Sequence, residues 1–425
     1  MEGSPSTGWG LEGRGAVQMK RVGLGVAMVA VAMAAAAAQE FVGEPLVIGA
    51  AEPTLAASDP TSVDGVPESS GGDASIVIDE PMAMGESPAP EMMAHEGCRP
   101  GCTSCGRSRV VDRDYVVFDV LFLDRDNATN NQPIAVENPN GSRPGATVLT
   151  TRSMTPTTAP GVRLFAGRHG CDGLGWEVGY WGVYGWYGDA RADAANGLAV
   201  PGNLGKGVPR WSSADTIRGA WWSSLNVAEL NLLSSDFSSG CEPCSPWPQR
   251  RCRHDTELDW IGGLFWAGLD EQAALLVNPF SGGPADRYQV TTSSNLFGAQ
   301  LGVRGRRTWD RLSLEGFLKA GLGGAWLEQS SPPITSIYGG SHEYRPGRSA
   351  IDTGMGFLST MNLTLAYRFS ETWGLRIGYN LAWLSGVALA PNQFDFTDTG
   401  TSGTGVRGAG GMFLHGANLG LESRW

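Results

Sequence analysis

The sequence predicts an all-β chain closed into a single antiparallel transmembrane β-barrel of about ten strands, twelve being the alternative count, behind a disordered N-terminal segment. Three observations lead there. Apolar and polar residues alternate with period two over stretches of about ten residues, the signature of strands with two different faces. Long and short connections take turns along the chain, as they do when hairpins run up and down through a bilayer. The last strand candidate ends on an aromatic residue, Trp425.

The composition narrows the function classes. Of 425 residues, 61 are glycine and 15 tryptophan, 17% are charged, and the formal net charge is -12. An acidic chain without basic clusters is a poor partner for nucleic acid. Residues 19–39, MKRVGLGVAMVAVAMAAAAAQ, place Lys20 and Arg21 before an apolar run that ends in small residues. That order reads as a secretory signal cleaved after Ala38, with residues 1–38 comprising an N-terminal extension and the signal. Residues 39–110 are rich in Glu, Asp, Pro, Ala and Gly with no sustained period, and read as disordered. No later apolar run is long enough for a spanning helix, so entry into a membrane requires a closed barrel, which satisfies every backbone group internally.

From residue 111 onward the texture changes. Strands are predicted over 114–123, 162–168, 176–186, 224–237, 257–269, 294–305, 311–326, 356–369, 373–384 and 412–425. Short turns are HGCDGLG, RRTWD and SET; long connections cover 124–161, 187–223, 270–293, 327–355 and 385–411. Short turns belong to the periplasmic side and long loops to the outside. The link SSGCEPCSPWPQRRCRHDT between the fourth and fifth strands breaks the rhythm.

Alternation alone does not say which face meets water, and the context decides it. With the aromatic faces toward lipid, Glu177, Arg304, Glu315, Lys319, Arg368, Arg376, Asn380 and Glu422 line the lumen. Glycines such as Gly298, Gly302, Gly374, Gly378, Gly416 and Gly420 share that face. They weaken a strand unless something crowds against them, and a narrow lumen does so. Trp176, Trp186, Tyr367, Trp373, Trp383 and Trp425 lie near strand ends, where interfacial girdles form. In the hairpin 361–383, Leu363→Arg is expected to be costly and Thr364→Arg tolerated.

The stretches GWEVGYWGVYG, ELDWIGGLFWAGLDEQ, NLFGAQLGVR, LSLEGFLKAGL, WGLRIGYNLAWLSGVALAP and FLHGANLGLE resemble, in order over about 114–425, those of the beta-barrel porin-7 family. The resemblance implies a bacterial outer-membrane location and a barrel. It brings no catalytic or binding residues.

No catalytic, metal or cofactor site is expected. Cys98, Cys102 and Cys105 have the C-x3-C-x2-C spacing of certain iron-sulfur clusters, but they precede a strand array and belong to an exported chain. With Cys171, Cys241, Cys244 and Cys252 they are disulfide candidates, all on the periplasmic side, and their odd number leaves one thiol over. Of five histidines, only His342 lies in an outer loop. Ten strands enclose little more than their own side chains, so a structural or surface-interaction role with a narrow or plugged lumen is expected. Its partners are outer-membrane lipid and the outer-membrane assembly machinery. The alternatives are a small-solute porin and an exported soluble β-sandwich.

Overall fold

The computed structural model describes residues 113–138, 145–169, 174–204, 209–234, 256–279, 285–336 and 342–425. The segments 1–38 and 39–110, the anomalous link at 235–255 and all seven cysteines lie outside these residues.

Fourteen strands are present among the described residues. They are β1 (Arg113–Arg125), β2 (Pro133–Glu137), β3 (Thr147–Thr150), β4 (Ala159–His169), β5 (Leu174–Ala199), β6 (Ala214–Ser234) and β7 (Thr256–Pro279). The remainder are β8 (Asp286–Trp309), β9 (Leu312–Ser331), β10 (Ile334–Ser336), β11 (His342–Arg345), β12 (Arg348–Arg368), β13 (Trp373–Val387) and β14 (Gly410–Arg424). Ten of them, β1, β4 to β9 and β12 to β14, pair each with the next, and β14 pairs with β1. The sheet therefore closes. At the seam the Asp114 and Trp425 backbones exchange both hydrogen bonds at 3.0 Å.

This is an antiparallel barrel of the transmembrane type, with the ten strands read from the alternation, and a continuous closed sheet excludes the β-sandwich. The strands run further than the sequence indicated, mostly at the long-loop end. β7 and β8 have 24 residues each, about 80 Å of chain at roughly 3.3 Å per residue. Tilted by about 45°, they rise well beyond a hydrocarbon core of about 30 Å. The extensions escaped prediction because residues such as DARADAANGLA (189–199) lack the aromatic-glycine texture of the lower half.

The outward face carries an apolar belt: Leu301 is 76% exposed and Met355 72%, and Leu318, Leu363, Ile377 and Leu419 stand exposed at comparable heights. Tyr367, Trp373 and Trp425 are exposed at its short-turn edge, and Trp326 and Trp383 at the other. Trp176 is half-buried. Two sequence assignments need correction. Trp186 is fully buried; Gly185, at φ +82°, forms a bulge that shifts the register between Tyr184 and Trp186 and turns the indole inward. Its Nε1 donates to the Leu123 carbonyl at 2.9 Å. Arg368 has the inward parity but lies beyond the rim, exposed, with Nη2 donating to the Asp310 carbonyl in the β8–β9 turn at 3.1 Å.

The long-loop end is built over. β2 and β3 pair with each other, and β2 joins the end of β5; β10 and β11 form a hairpin. The β13–β14 loop turns into the mouth, where Ala388, Leu389, Ala390 and Phe394 are completely buried.

Candidate functional site

The lumen is the site that the fold constructs, and it is filled in three layers. At the short-turn end lies an ionic network. Glu422 accepts from Arg376 at 2.7 Å and Arg306 at 3.0 Å. Glu315 lies 3.1 Å from Arg306, 2.9 Å from Arg424 and 3.6 Å from Arg376. Arg304 reaches Glu177 at 2.7 Å and Asp259 at 3.3 Å, and Glu177 also accepts from the Tyr115 hydroxyl at 2.6 Å. His169 Nε2 stands 3.0 Å from Arg304 Nη2.

One level higher, Arg163 Nε donates to Asp119 at 2.8 Å, and its Nη1 to Asn380 at 2.7 Å. Asn380 joins Asn362 and Asn418 in an amide cluster. The Lys319 ammonium contacts Glu229, whose carboxylate also takes Gln300 Nε2 at 2.9 Å. The cations Arg163, Arg304, Arg306, Lys319, Arg376 and Arg424 thus face an equal number of carboxylates, Asp119, Glu177, Glu229, Asp259, Glu315 and Glu422. A network with balanced charge and shared hydrogen bonds holds its members in place and carries no net charge.

The second layer is apolar: Leu121, Phe165, Trp181, Phe265, Leu296 and Leu384 are buried across the lumen. Inward glycines make room for these rings. A methyl group at Gly179 would lie 1.9 Å from Phe165 Cε1, and one at Gly321 would lie 2.6 Å from Phe265 Cε1. Two cavities of about 30 and 20 Å³ border the ionic and apolar layers, enough for one or two waters each.

Above the apolar layer Arg125 pairs with Glu271 at 2.5 Å and lies 4.2 Å from the Trp221 ring. The third layer begins there. Glu271 Oε2 accepts from the Ala390 backbone N–H at 2.8 Å, and Ser294 Oγ from Ala388 N–H at 3.0 Å, so barrel side chains anchor the β13–β14 loop. Phe394, stacked on Phe396, packs edge-on against Tyr288. Asp395, at the turn of this loop, is partly buried, which opposes ionisation. Hydrogen bonds from Thr397 and the Gly403 N–H outweigh this and hold its carboxyl below the usual range.

Of the residues proposed from sequence for the lumen, Glu177, Arg304, Glu315, Lys319, Arg376, Asn380 and Glu422 are buried inside it; Arg368 is not. Sequence reasoning missed Asp119, Arg163, Glu229, Asp259 and Arg306. Asp119 carries a signal that could have found it, an acid at inward parity within DYVVFDVLFL. Arg163 and Arg306 become legible only once β1 is registered on β4 and β8 on β9, opposing Asp119 and Glu315. His415 is half-exposed on the outer face, bonded to the Tyr379 hydroxyl at 2.9 Å. Among the described residues no group of three or more His, Cys, Asp or Glu is placed to hold a metal.

Among solved structures the chain is similar to the outer membrane protease OmpT from Escherichia coli, with 9% identity over 75% of this chain and 98% of that one and a TM-score of 0.39. It is similar to a major outer membrane protein from Thermus thermophilus, with 11% identity over 74% and 99% and a TM-score of 0.29. A third is the Pseudomonas putida toluene transporter TodX, with 10% identity over 74% and 89% and a TM-score of 0.24. Likenesses this distant bring no residue role, substrate or activity. No protein-family model and no curated protein matches the chain.

Proposed function

We propose that this protein is an integral β-barrel of a bacterial outer membrane, exported by the signal at 19–38 and inserted by the outer-membrane assembly machinery. Its role is structural or surface-interacting, and it is neither an enzyme nor an open porin. The resemblance to the beta-barrel porin-7 family belongs to the same proposal. The membrane assignment rests on the apolar belt, because a contiguous outward band of Leu, Met, Ile and aromatic side chains is stable only against lipid.

The observation that carries the closed reading is the apolar layer around Phe165, Trp181 and Phe265, which sits between an ionic network and a docked loop. An ion crossing it would be stripped of water with no polar group to replace the hydration. Purified full-length protein in a planar bilayer is expected to give no unitary conductance steps; a reproducible conductance would restore the small-solute porin. Recovery of the native protein in the soluble periplasmic fraction, instead of the outer-membrane detergent extract, would remove the membrane assignment.

A further inference from the structure

Arg345 closes β11 and Arg348 opens β12, with Pro346 and Gly347 between them at the outer rim. Arg345 is 2% exposed, far deeper than an arginine in a surface hairpin needs to be. Its guanidinium lies 4.6 Å from the Tyr288 ring, and its Nη1 donates to the Asp395 carbonyl at 2.8 Å. Among the described residues, Arg345 Nε and Nη2 have no hydrogen-bond acceptor, and neither has Arg348 Nε. Ionised donors buried without acceptors are among the costlier arrangements in a folded chain.

The neighbouring Asp395 carboxylate offsets part of the Arg345 charge without hydrogen-bonding to it. Asp395 Oδ1 accepts from the Thr397 backbone N–H at 3.0 Å and the Thr397 hydroxyl at 2.6 Å, while Oδ2 accepts from Gly403 N–H at 3.0 Å. Both oxygens are turned into their own loop. Gly403, at φ +71°, crosses between the two arginines. A methyl group there would rest in van der Waals contact with Arg348 Cβ and Cγ at 3.8 Å and reach Arg345 Nη2 at 4.0 Å, so this turn of the loop stands directly over both side chains. Gln329 Nε2 fixes the loop by donating to the Gly403 and Gly405 carbonyls at 2.9 and 2.7 Å. The Ser402 hydroxyl, linked to those of Thr397 and Thr399, lies in the same turn.

We propose that the outer rim carries an oxyanion-binding site between Arg345 and Arg348 beneath Gly403, which takes a phosphate- or sulfate-type group. Guanidinium forks match such groups in charge and geometry. The group is supplied either as a free ion or as the headgroup of an outer-leaflet lipid, and the chemistry at the arginines is the same.

The test measures amide hydrogen exchange over residues 395–405 of the full-length protein in maltoside micelles. Inorganic phosphate is titrated against chloride at matched ionic strength in one arm, and phosphatidic acid is doped into the micelles in the other. Exchange is expected to slow saturably by at least tenfold. An effect of phosphate alone identifies a free ion; an effect of phosphatidic acid identifies a headgroup. Arg345→Met should abolish the response and Arg348→Ala should weaken it at least tenfold. Arg287→Ala, which removes an exposed charge elsewhere on the rim, should leave it intact. Should Arg345→Met fail the heat-modified mobility check for folding, Arg348→Ala still decides the matter. No saturable slowing in either arm, or an equal loss in Arg287→Ala, overturns the site.

Discussion

Leu363 and Thr364 are adjacent in the chain and opposite in environment. Leu363 is 50% exposed in the belt and Thr364 fully buried in the lumen. Leu363→Arg places a charge in the middle of the belt and is expected to cost about 2 to 4 kcal/mol, measured by urea titration of the liposome-inserted protein. Alternation alone makes Thr364→Arg look harmless, and the packing reverses that expectation. Thr364 Oγ1 donates to Asn362 at 2.7 Å and lies 2.4 Å from where a methyl group on Gly378 would stand. No arginine fits, so Thr364→Arg should fail to assemble while Thr364→Ser folds. Gly378→Ala should cost about 1 to 3 kcal/mol by overpacking, because its methyl group also meets the Leu363 carbonyl at 2.6 Å. Lys319→Met leaves Glu229 buried without its counter-ion, a loss of about 3 to 5 kcal/mol. Adding Glu229→Gln should recover most of it in the same titration. If the double variant is no more stable than Lys319→Met, the pair is not the reason for either burial.

Elements differ in what their sequence disclosed. The hairpin of β12 and β13 was legible over 356–384, since its outward residues are mostly apolar and its inward ones below Leu358 and Leu384 small or polar, with the SET turn between them; residues 348–355, where β12 begins, read as part of a long connection. The upper half of β5 was not. Its bulge at Gly185 reverses the parity, so that Ala190 and Ala192 face inward while Asp189 and Arg191 face water. A single left-handed residue thus changes the meaning of every position beyond it. The β13–β14 loop reads as a long outer connection, yet it is the third layer of the lumen because Glu271 and Ser294 supply acceptors for its backbone. Its pH behaviour follows from Asp395, whose carboxyl is held below the usual range by Thr397 and Gly403. A depressed carboxyl contributes stability that is present above the unfolded value of about 3.9 and lost as pH falls through the folded one. Proteolysis of the loop should therefore be unchanged between neutral pH and about pH 4 and accelerate only below it. Loosening between pH 7 and 5 would show that another group holds the loop.

For the whole molecule, the question is how many layers seal the barrel. Deleting the β13–β14 loop should leave a planar bilayer without conductance, because the apolar layer lies beneath it. Combining the deletion with Phe165→Ala, Trp181→Ala and Phe265→Ala should produce measurable steps. Conductance in the loop deletion alone would make the loop the only gate. Ten strands allow this filling because their lumen is about as wide as the side chains that line it.

The sequence by itself determined the barrel class with a strand number of ten or twelve, the order of long and short connections, and which residues of most strands share a face. All of these follow from period-two alternation and local turn chemistry. Only the tertiary structure decided that Asp119 opposes Arg163, that Trp186 points inward, that Arg368 misses the lumen and that the β13–β14 loop enters it. The physical reason is closure. Once β14 pairs with β1, residues hundreds of positions apart are forced into one narrow interior, and charge balance and volume there depend on register between strands that no local pattern encodes.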